Sequence, residues 1–302
     1  MQNQERAQES WPVMVLAYNE EKHIEACLDS LFDGEPGQPL EVYVMANGCT
    51  DRTEQIVLEY GKKRPSVHLV SIKMGDKCNA WNVFVHETVA RHCPGRSIYF
   101  FMDGDARSVP GSLREMAAGL QAEPYAHAAS APPSSGRNVA YDREEMVRER
   151  GLVANLYALR GPFVDRLQRE RVRLPLKLEG DDGLLGALIK WDLDPKHNQF
   201  DSKRIVCCAK AGFEFESVSP FSPSAARGYW KRAVRYGRRV YEFELIGKEL
   251  KAKGLAGLPV DIQSLYGGSD ALSLRKRGLY TLTNWVALRE MRRVGRGLPK
   301  AG

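Results

Sequence analysis

The sequence predicts an α/β fold: a mostly parallel sheet with helices on both faces, followed by a helical C-terminal extension. Three observations predict it. Apolar runs of strand length alternate with stretches of helical spacing, the pattern of βα units joined by right-handed crossovers. The runs are apolar throughout rather than alternating, as in strands covered on both faces. Finally, the run Ser97-Ile-Tyr-Phe-Phe-Met-Asp-Gly-Asp105 stops at two carboxylates, at the kind of strand end where open α/β sheets bind ligands.

Taken in order, residues 13–18 read as the first buried strand. Asn19 offers a helix cap before Glu20 and Glu21, and Ile24, Cys27, Leu28 and Leu31 follow at helical spacing. Residues 40–45 form a second strand. Asp51 with Glu54 then resembles a capping box opening a helix to Tyr60. Residues 67–72 give a third strand, residues 77–90 a helix with Ala80, Trp81, Val83 and Phe84 inward, and residues 97–102 the fourth strand. Val109-Pro-Gly111 opens a helix to about Leu120, and Ala131-Pro-Pro-Ser-Ser-Gly136 is a loop. The stretch from Asp142 through Val147, Leu152, Leu156 and Leu159 has helical spacing and predicts one long helix. Residues 174–178 are extended, Glu179-Gly-Asp-Asp-Gly183 is a second acidic turn, and residues 184–189 a helix. Residues 205–208 and 213–218 predict strands, and Ser222-Pro223 starts a helix running toward Leu250.

Composition describes a globular chain. Of 302 residues, 43% are hydrophobic and 27% charged, with mean hydropathy −0.41, which argues against disordered and membrane-spanning classes. The polar first residues lack the apolar core of a secretion signal, so a cytoplasmic protein is expected. Six cysteines without a repeated Cys-x-x-Cys spacing point to reduced, mostly buried thiols. The six histidines are scattered, and only His197, just after the second acidic turn, stands near predicted chemistry.

The net charge of +6 is unevenly placed. Residues 275–302 carry eight basic groups and one acidic, a net +7, which leaves −1 on the rest. Residues 227–239 carry six basic groups and no acidic one. Arg227, Lys231, Arg235 and Arg238 share a helix face, and Leu279, Leu282, Trp285 and Leu288 form an apolar stripe with Arg275, Arg289, Arg292 and Arg293 at its ends. A peripheral contact with an anionic membrane is the expectation. A solvated face and a stripe docked on the domain are the alternatives.

Asp103 and Asp105 repel each other unless a cation lies beside them. Hard oxygen ligands of this kind suit Mg²⁺ or Mn²⁺ completed by ligand phosphates. An Asp-Gly turn between two strands would use the same residues. No G-x-G-x-x-G or G-x-x-x-x-G-K occurs, so neither a dinucleotide site nor a P-loop is signalled.

Together these stretches resemble the inverting nucleotide-sugar glycosyltransferases of the GT-A (Rossmann-like) fold, family 2, which includes bacterial polysaccharide and lipid-carrier transferases. Val13 to Glu21 is similar to that family's first strand and Tyr-Asn-Glu-Glu turn. Asn47-Gly-Cys-Thr-Asp-Arg-Thr53 is similar to its Asp-Gly-Ser-Thr-Asp-Gly-Thr loop, Asp103-Gly-Asp105 to its Asp-x-Asp motif, and Gly180-Asp-Asp-x-x-Leu185 to its Gly-Glu-Asp-x-x-Leu motif. The resemblance implies a GT-A domain with a nucleotide-sugar half at 12–130 and an acceptor half at 131–240, between a polar segment 1–11 and a basic extension 241–302.

The resemblance also implies a donor, a UDP- or GDP-linked sugar, held by Ala17, Tyr18, Glu20, Asn47, Asp51 and Lys77 with Asp103 and Asp105. Asp105 and Asp103 would ligate Mg²⁺ or Mn²⁺. Asp182 would be the catalytic base, oriented by Asp181, and the acceptor would be a glycan or a lipid-linked hydroxyl rather than a nucleic acid. Ala46 and Asn47 stand where the family commonly has two aspartates, one of which reads uracil, and Asp181 stands where glutamate is usual. The Gln-x-x-Arg-Trp signature of processive members is absent, which favours transfer of one sugar. A nucleotidyltransferase would carry a basic, glycine-rich loop after its first strand, where this chain has the acidic Ala17-Tyr-Asn-Glu-Glu21. A non-catalytic basic binding protein would account for the arginines and not for the two acidic turns.

Overall fold

The computed structural model describes residues 8–136, 138–216, 223–278 and 280–298. The chain divides into two compact units, Met1–Val172 with Asp201–Glu216, and Arg173–Phe200 with Ser217–Gly302.

The first unit opens with β1 (Trp11–Ala17), α1 (Ile24–Gly34), β2 (Leu40–Asn47), α2 (Thr53–Lys63), β3 (Val67–Ile72), α3 (Lys77–Val83), a π-helical turn Phe84–Thr88, α4 (Val89–His92) and β4 (Ile98–Asp103). The predicted alternation is present, with strand limits shifted by a residue or two. It continues through β5 (Ala106–Ser108), α5 (Ser112–Ala122), β6 (Ala128–Ser130), α6 (Val139–Glu149), β7 (Leu156–Arg160) and α7 (Gly161–Arg169). After α8 (Asp181–Lys190), which belongs to the second unit, the chain returns with β8 (Ile205–Cys207) and β9 (Phe213–Phe215).

Among the described residues the main sheet has seven strands in the order β3-β2-β1-β4-β7-β6-β8. It is parallel from β3 to β4, antiparallel on both sides of β7, and parallel between β6 and β8. Alternate side chains feed two cores. Val13, Val15 and Val44 pack with Ile24, Leu28 and Leu31 of α1 and with Leu113 and Met116 of α5. On the opposite face Phe101 stacks on Tyr157 at 4.7 Å and meets Phe84 of the π turn edge-on at 5.5 Å. Trp81 is buried there as predicted, its Nε1 donating to the Tyr157 hydroxyl at 2.9 Å. Burying each such side chain contributes about 1.5–3 kcal/mol.

Three local expectations are corrected. Asn19 does not cap α1; it adopts φ +57°, its Oδ1 accepts from the Thr50 amide at 2.8 Å, and His23 holds the cap position. Glu54 does not close a capping box, because its carboxylate accepts from Ser71 Oγ at 2.7 Å. The long helix over 142–159 ends at Glu149, where Arg150 takes φ +47°, and Leu156 to Arg160 is instead β7, paired between β4 and β6. Leu152, Leu156 and Leu159 mimic helical spacing, but an apolar Leu156-Tyr-Ala-Leu run gains more from both faces of a sheet than from one helix stripe.

The second unit contains α8, α9 (Pro223–Lys253), the 3₁₀ segments Gly254–Gly257 and Ile262–Ala271, and α10 (Tyr280–Gly295). Residues 174–178 form no regular strand, although Leu176 bridges Asp261. α9 and α10 approach closely at Gly237, where a Cβ would lie 2.8 Å from Asn284 Oδ1. α10 buries Thr283, Ala287, Leu288 and Met291. Of the predicted stripe, then, Leu288 docks on the unit, while Leu282 and Trp285 are exposed and Leu279 lies outside the described residues, as do Ser222 and Val218. No described helix is long and apolar enough to cross a membrane.

Candidate active site

Three βα loops of the first unit meet at the carboxyl ends of β1, β2 and β3. Asp51 ties two of them: its Oδ1 accepts from the Thr53 amide at 3.0 Å and hydroxyl at 2.6 Å, and its Oδ2 from the Glu21 amide at 3.1 Å. The Thr53 hydroxyl oxygen in turn accepts from the Glu20 amide at 2.8 Å. Burial would raise the Asp51 pKa, but these donors outweigh it and hold the carboxyl below its ordinary range. Asn47 is buried, and its Oδ1 accepts from the Asp76 amide at 2.8 Å, joining the second loop to the third. Gly48, at φ +71°, lets these two loops touch, since a Cβ there would lie 2.8 Å from the Gly75 backbone. Ala17 is buried, whereas Tyr18 is exposed, its ring edge over Gly75.

Asp103 closes β4 of the main sheet, and Ala106 opens β5, which pairs with β9 in a separate two-stranded sheet. Asp103-Gly104-Asp105 is thus literally an Asp-Gly turn between strands, though of two different sheets. The Gly104 amide donates to Leu16 O at 2.7 Å, and a Cβ there would sit 2.9 Å from that oxygen. Glycine is therefore what brings both aspartates against the end of β1.

The electrostatics of this junction are lopsided. Lys77, in the first turn of α3, donates to both oxygens of Asp103 at 3.0 and 3.2 Å. The Asp105 pKa is raised by burial and by the charge of Asp103, with Lys77 and His23 only partly offsetting them. Glu20 is raised by burial, and its hydrogen bond to His23 Nδ1 at 3.0 Å is opposed by Asp105 and Asp103. Asp103 and Asp105 therefore disfavour the charge of Glu20, and Asp103 that of Asp105. That excess fits a divalent cation. Among the described residues no group of three or more His, Cys, Asp or Glu side chains converges in metal-holding geometry. An ion here would draw on one or two carboxylates and complete its shell with ligand oxygens, which is how Mg²⁺ commonly binds beside phosphates.

The second acidic turn lies in the other unit. Gly180, at φ +90°, caps α8, so Asp181 and Asp182 occupy its first turn, where the helix dipole favours negative charge. Asp182 Oδ1 accepts from the Gly183 amide at 2.8 Å and pairs with Arg239 Nη2 at 3.2 Å. Arg239 lies across both glycines. A Cβ on Gly180 would meet its Nε at 2.4 Å, and one on Gly183 its Nη2 at 2.6 Å. Next to it, Glu179 pairs with Arg235 at 2.8 Å and Arg238 at 3.3 Å, and its amide donates to Glu242 at 2.8 Å. The basic face expected to meet a membrane is therefore partly spent inside the unit: Arg235 and Arg238 grip Glu179, while Arg227 and Lys231 are exposed.

With this geometry established, comparison with known proteins gives the family. The model of glycosyl transferase family 2 matches residues 13–176, more than half of the 302 residues. The chain belongs to glycosyl transferase family 2. The matched span holds the three loops, Lys77, Asp103 and Asp105, and it stops before Asp181 and Asp182. No curated protein sequence matches. Among solved structures, this family 2 chain is similar to the mannosyltransferase PcManGT from Pyrobaculum calidifontis in complex with GDP-Man and Mn²⁺. That match has TM-score 0.57 and 18% identity, over 95% of this chain and 86% of that one. It is also similar to S. aureus TarS 1-349 in complex with UDP, at TM-score 0.52 and 17% identity, over 96% and 91% of the two chains. These likenesses identify the fold of the transferase as GT-A.

Several contributors to the site went unread in the sequence. His23 bridges Glu20 and Glu216, the latter at 3.6 Å, and Asp76 caps α3 by accepting from the Asn79 amide at 2.9 Å. Asp76 was legible as a capping residue ahead of Lys77. Arg239 had no signal beyond its place in a basic run. His197 pairs with Asp194 at 2.9 Å on the surface.

Proposed function

We propose that this glycosyltransferase moves a single sugar, with inversion, from a nucleotide-diphosphate sugar to an acceptor hydroxyl on a glycan or lipid-linked carrier, in the synthesis of cell-surface polysaccharide or glycolipid. The observation that carries the reading is the Asp103-Gly104-Asp105 junction, where Asp103 pairs with Lys77 and the charge of Asp105 is opposed by burial and by Asp103, at the mouth of three βα loops. The complexes of the two similar structures, one with GDP-Man and Mn²⁺ and one with UDP, support a nucleotide donor of either kind.

In this reading Tyr18, Glu20 and the loop tied by Asp51 and Asn47 border the nucleotide, and Lys77 neutralises Asp103 beside the diphosphate. Asp105, with Asp103, would hold Mg²⁺ or Mn²⁺, which when bound counters the charge developing on the leaving diphosphate. Asp182 takes the proton of the acceptor hydroxyl. Arg239 fixes that carboxylate by one oxygen across two glycines, and Asp181 shares the same helix turn.

Calorimetry of donor binding with Mn²⁺ and with EDTA, together with NMR of the product's anomeric configuration, tests the proposal. Metal-dependent binding and an inverted product are expected. Equal affinity in EDTA would remove the metal role, and a retained configuration would remove the single displacement.

A further inference from the structure

The C-terminal helix carries a feature that sugar transfer does not use. α10 and the residues around it line an open cavity of about 480 Å³ in the second unit. Leu274, Leu288 and Leu298 give it an apolar wall, and Arg289, Arg292, Arg293 and Arg296 line the rest beside Trp285.

The charges around it do not balance. Arg292 and Arg296 share one carboxylate, Asp270, at 3.6 and 2.9 Å. Arg289 lies over the Trp285 ring, 5.3 Å from its centroid. Arg293 has a buried Nε without a hydrogen-bond partner. Glu290, the acidic residue of α10, turns to Arg238 at 2.5 Å. Among the described residues Asp270 is thus the one carboxylate paired with these four guanidinium groups, Arg292 also donating to the Ser269 and Leu272 carbonyl oxygens at 3.3 and 2.8 Å. Guanidinium forks match phosphate and carboxylate oxygens in pairs, so the lining suits an oxyanion such as a phosphate.

Its apolar part follows from the rest of the surface. Leu282, Trp285, Arg289 and Arg292 fall at helical spacing on one face of α10, with Arg296 in the turn just past its end, and Leu282 and Trp285 are exposed, about half of each open to solvent. A soluble phosphate would gain nothing from exposed leucine and indole ahead of the arginines. The polar headgroup of a lipid layer would, because tryptophan settles at the interface and arginine reaches the phosphates.

We infer that this cavity seats the phosphate of an anionic membrane lipid, with Leu282 and Trp285 entering the interface beside it. The inference is independent of the catalytic reading, since every residue in it lies in the C-terminal part of the second unit and none belongs to the acidic sites.

Flotation of the full chain with phosphatidylglycerol–phosphatidylcholine vesicles, against pure phosphatidylcholine, tests it. The protein should float with the anionic vesicles only. Arg289→Gln, at an exposed position, should weaken partitioning about fivefold, and Arg289→Gln with Arg293→Gln about 25-fold, following the usual contribution of one basic residue near an anionic leaflet. Trp285→Ala should weaken it as well, while Lys251→Gln, exposed on α9 and outside the cavity, should change it less than about twofold. Thermal melts of each variant confirm folding. Equal binding to neutral vesicles, an equal loss from Lys251→Gln, or full displacement by millimolar inorganic phosphate would each overturn the assignment.

Discussion

Asp105 is a residue whose charge the fold tolerates rather than rewards. Its pKa is raised, so the native state holds its proton more tightly than the unfolded chain does, and the stability this contributes is lost as pH rises through the folded value. Asp105→Asn should therefore leave the ligand-free protein at least as stable as the wild type at neutral pH while abolishing the Mn²⁺-dependent part of donor binding. Calorimetry with and without EDTA, beside a thermal melt, reads both effects. Asp182 is a carboxylate held by Gly183 and Arg239. Asp182→Asn should keep donor affinity and lose about 10²–10⁴-fold in turnover if it is the base. Asparagine would otherwise serve the helix terminus nearly as well, and turnover would survive. At this scale the sequence was readable where residue type and spacing coincide with chemistry, as at Asp103, Asp105 and the two aspartates of the second turn. It was unreadable at Arg239 and His23, which reach their partners only through tertiary packing.

At the scale of elements, α9 combines a buried acid with a basic face. Glu242 is fully buried on it, and burial pushes its carboxyl up to about 6 from 4.5, despite hydrogen bonds from Tyr266 and the Glu179 amide and the nearby charge of Arg238. A raised carboxyl pKa contributes stability that is complete below the unfolded value and lost as pH climbs through the folded one. Between pH 4.5 and 6 Glu242 should thus cost about 2 kcal/mol. Glu242→Gln keeps an acceptor for the Glu179 amide and should flatten that slope. The difference between urea midpoints of wild type and variant across this window measures it, and a difference that does not vary with pH would reject the linkage. The turn that α9 holds is similarly specific. Gly180→Ala would force alanine to φ +90° and drive its Cβ to 2.4 Å from Arg239 Nε. The backbone conformation alone costs about 1–2 kcal/mol, a loss visible in the same titrations. Elements of six to eleven residues such as β3, β4 and α5 were legible from period and length. The three-residue strands β5 and β6 are too short to carry a period of their own, whereas β8 and β9 fall inside the runs 205–208 and 213–218 that read as strands. β7 was misread because leucines at 152, 156 and 159 satisfy a helical spacing that Arg150 and the sheet override.

At the scale of the whole molecule, the junction that carries Asp105 is completed from far along the chain. β5 follows it directly and pairs with β9 more than 100 residues later, so the Asp105 carboxylate is positioned only once that distant strand returns. Such a site is set by topology more than by local sequence, which is why four short motifs in order said more than any one of them. The same architecture bears on the nucleotide. Asn47, where the family often has an aspartate, is buried and committed to the Asp76 amide, so the usual uracil contact has no obvious replacement at that position. A thermal-shift series of UDP-, GDP- and dTDP-sugars with and without Mn²⁺ therefore separates the candidates. A donor present at about 100 times its dissociation constant stabilises the native state by about 2.7 kcal/mol. For 302 residues unfolding together that corresponds to a rise of about 4 °C in Tm, and more if a smaller cooperative unit holding the site unfolds by itself. The rise should appear for one nucleotide class, require Mn²⁺, and vanish in Asp105→Asn. If all three donors shift the melt equally with and without the ion, recognition does not run through the acidic junction, and the reading of Asp103 and Asp105 falls with it.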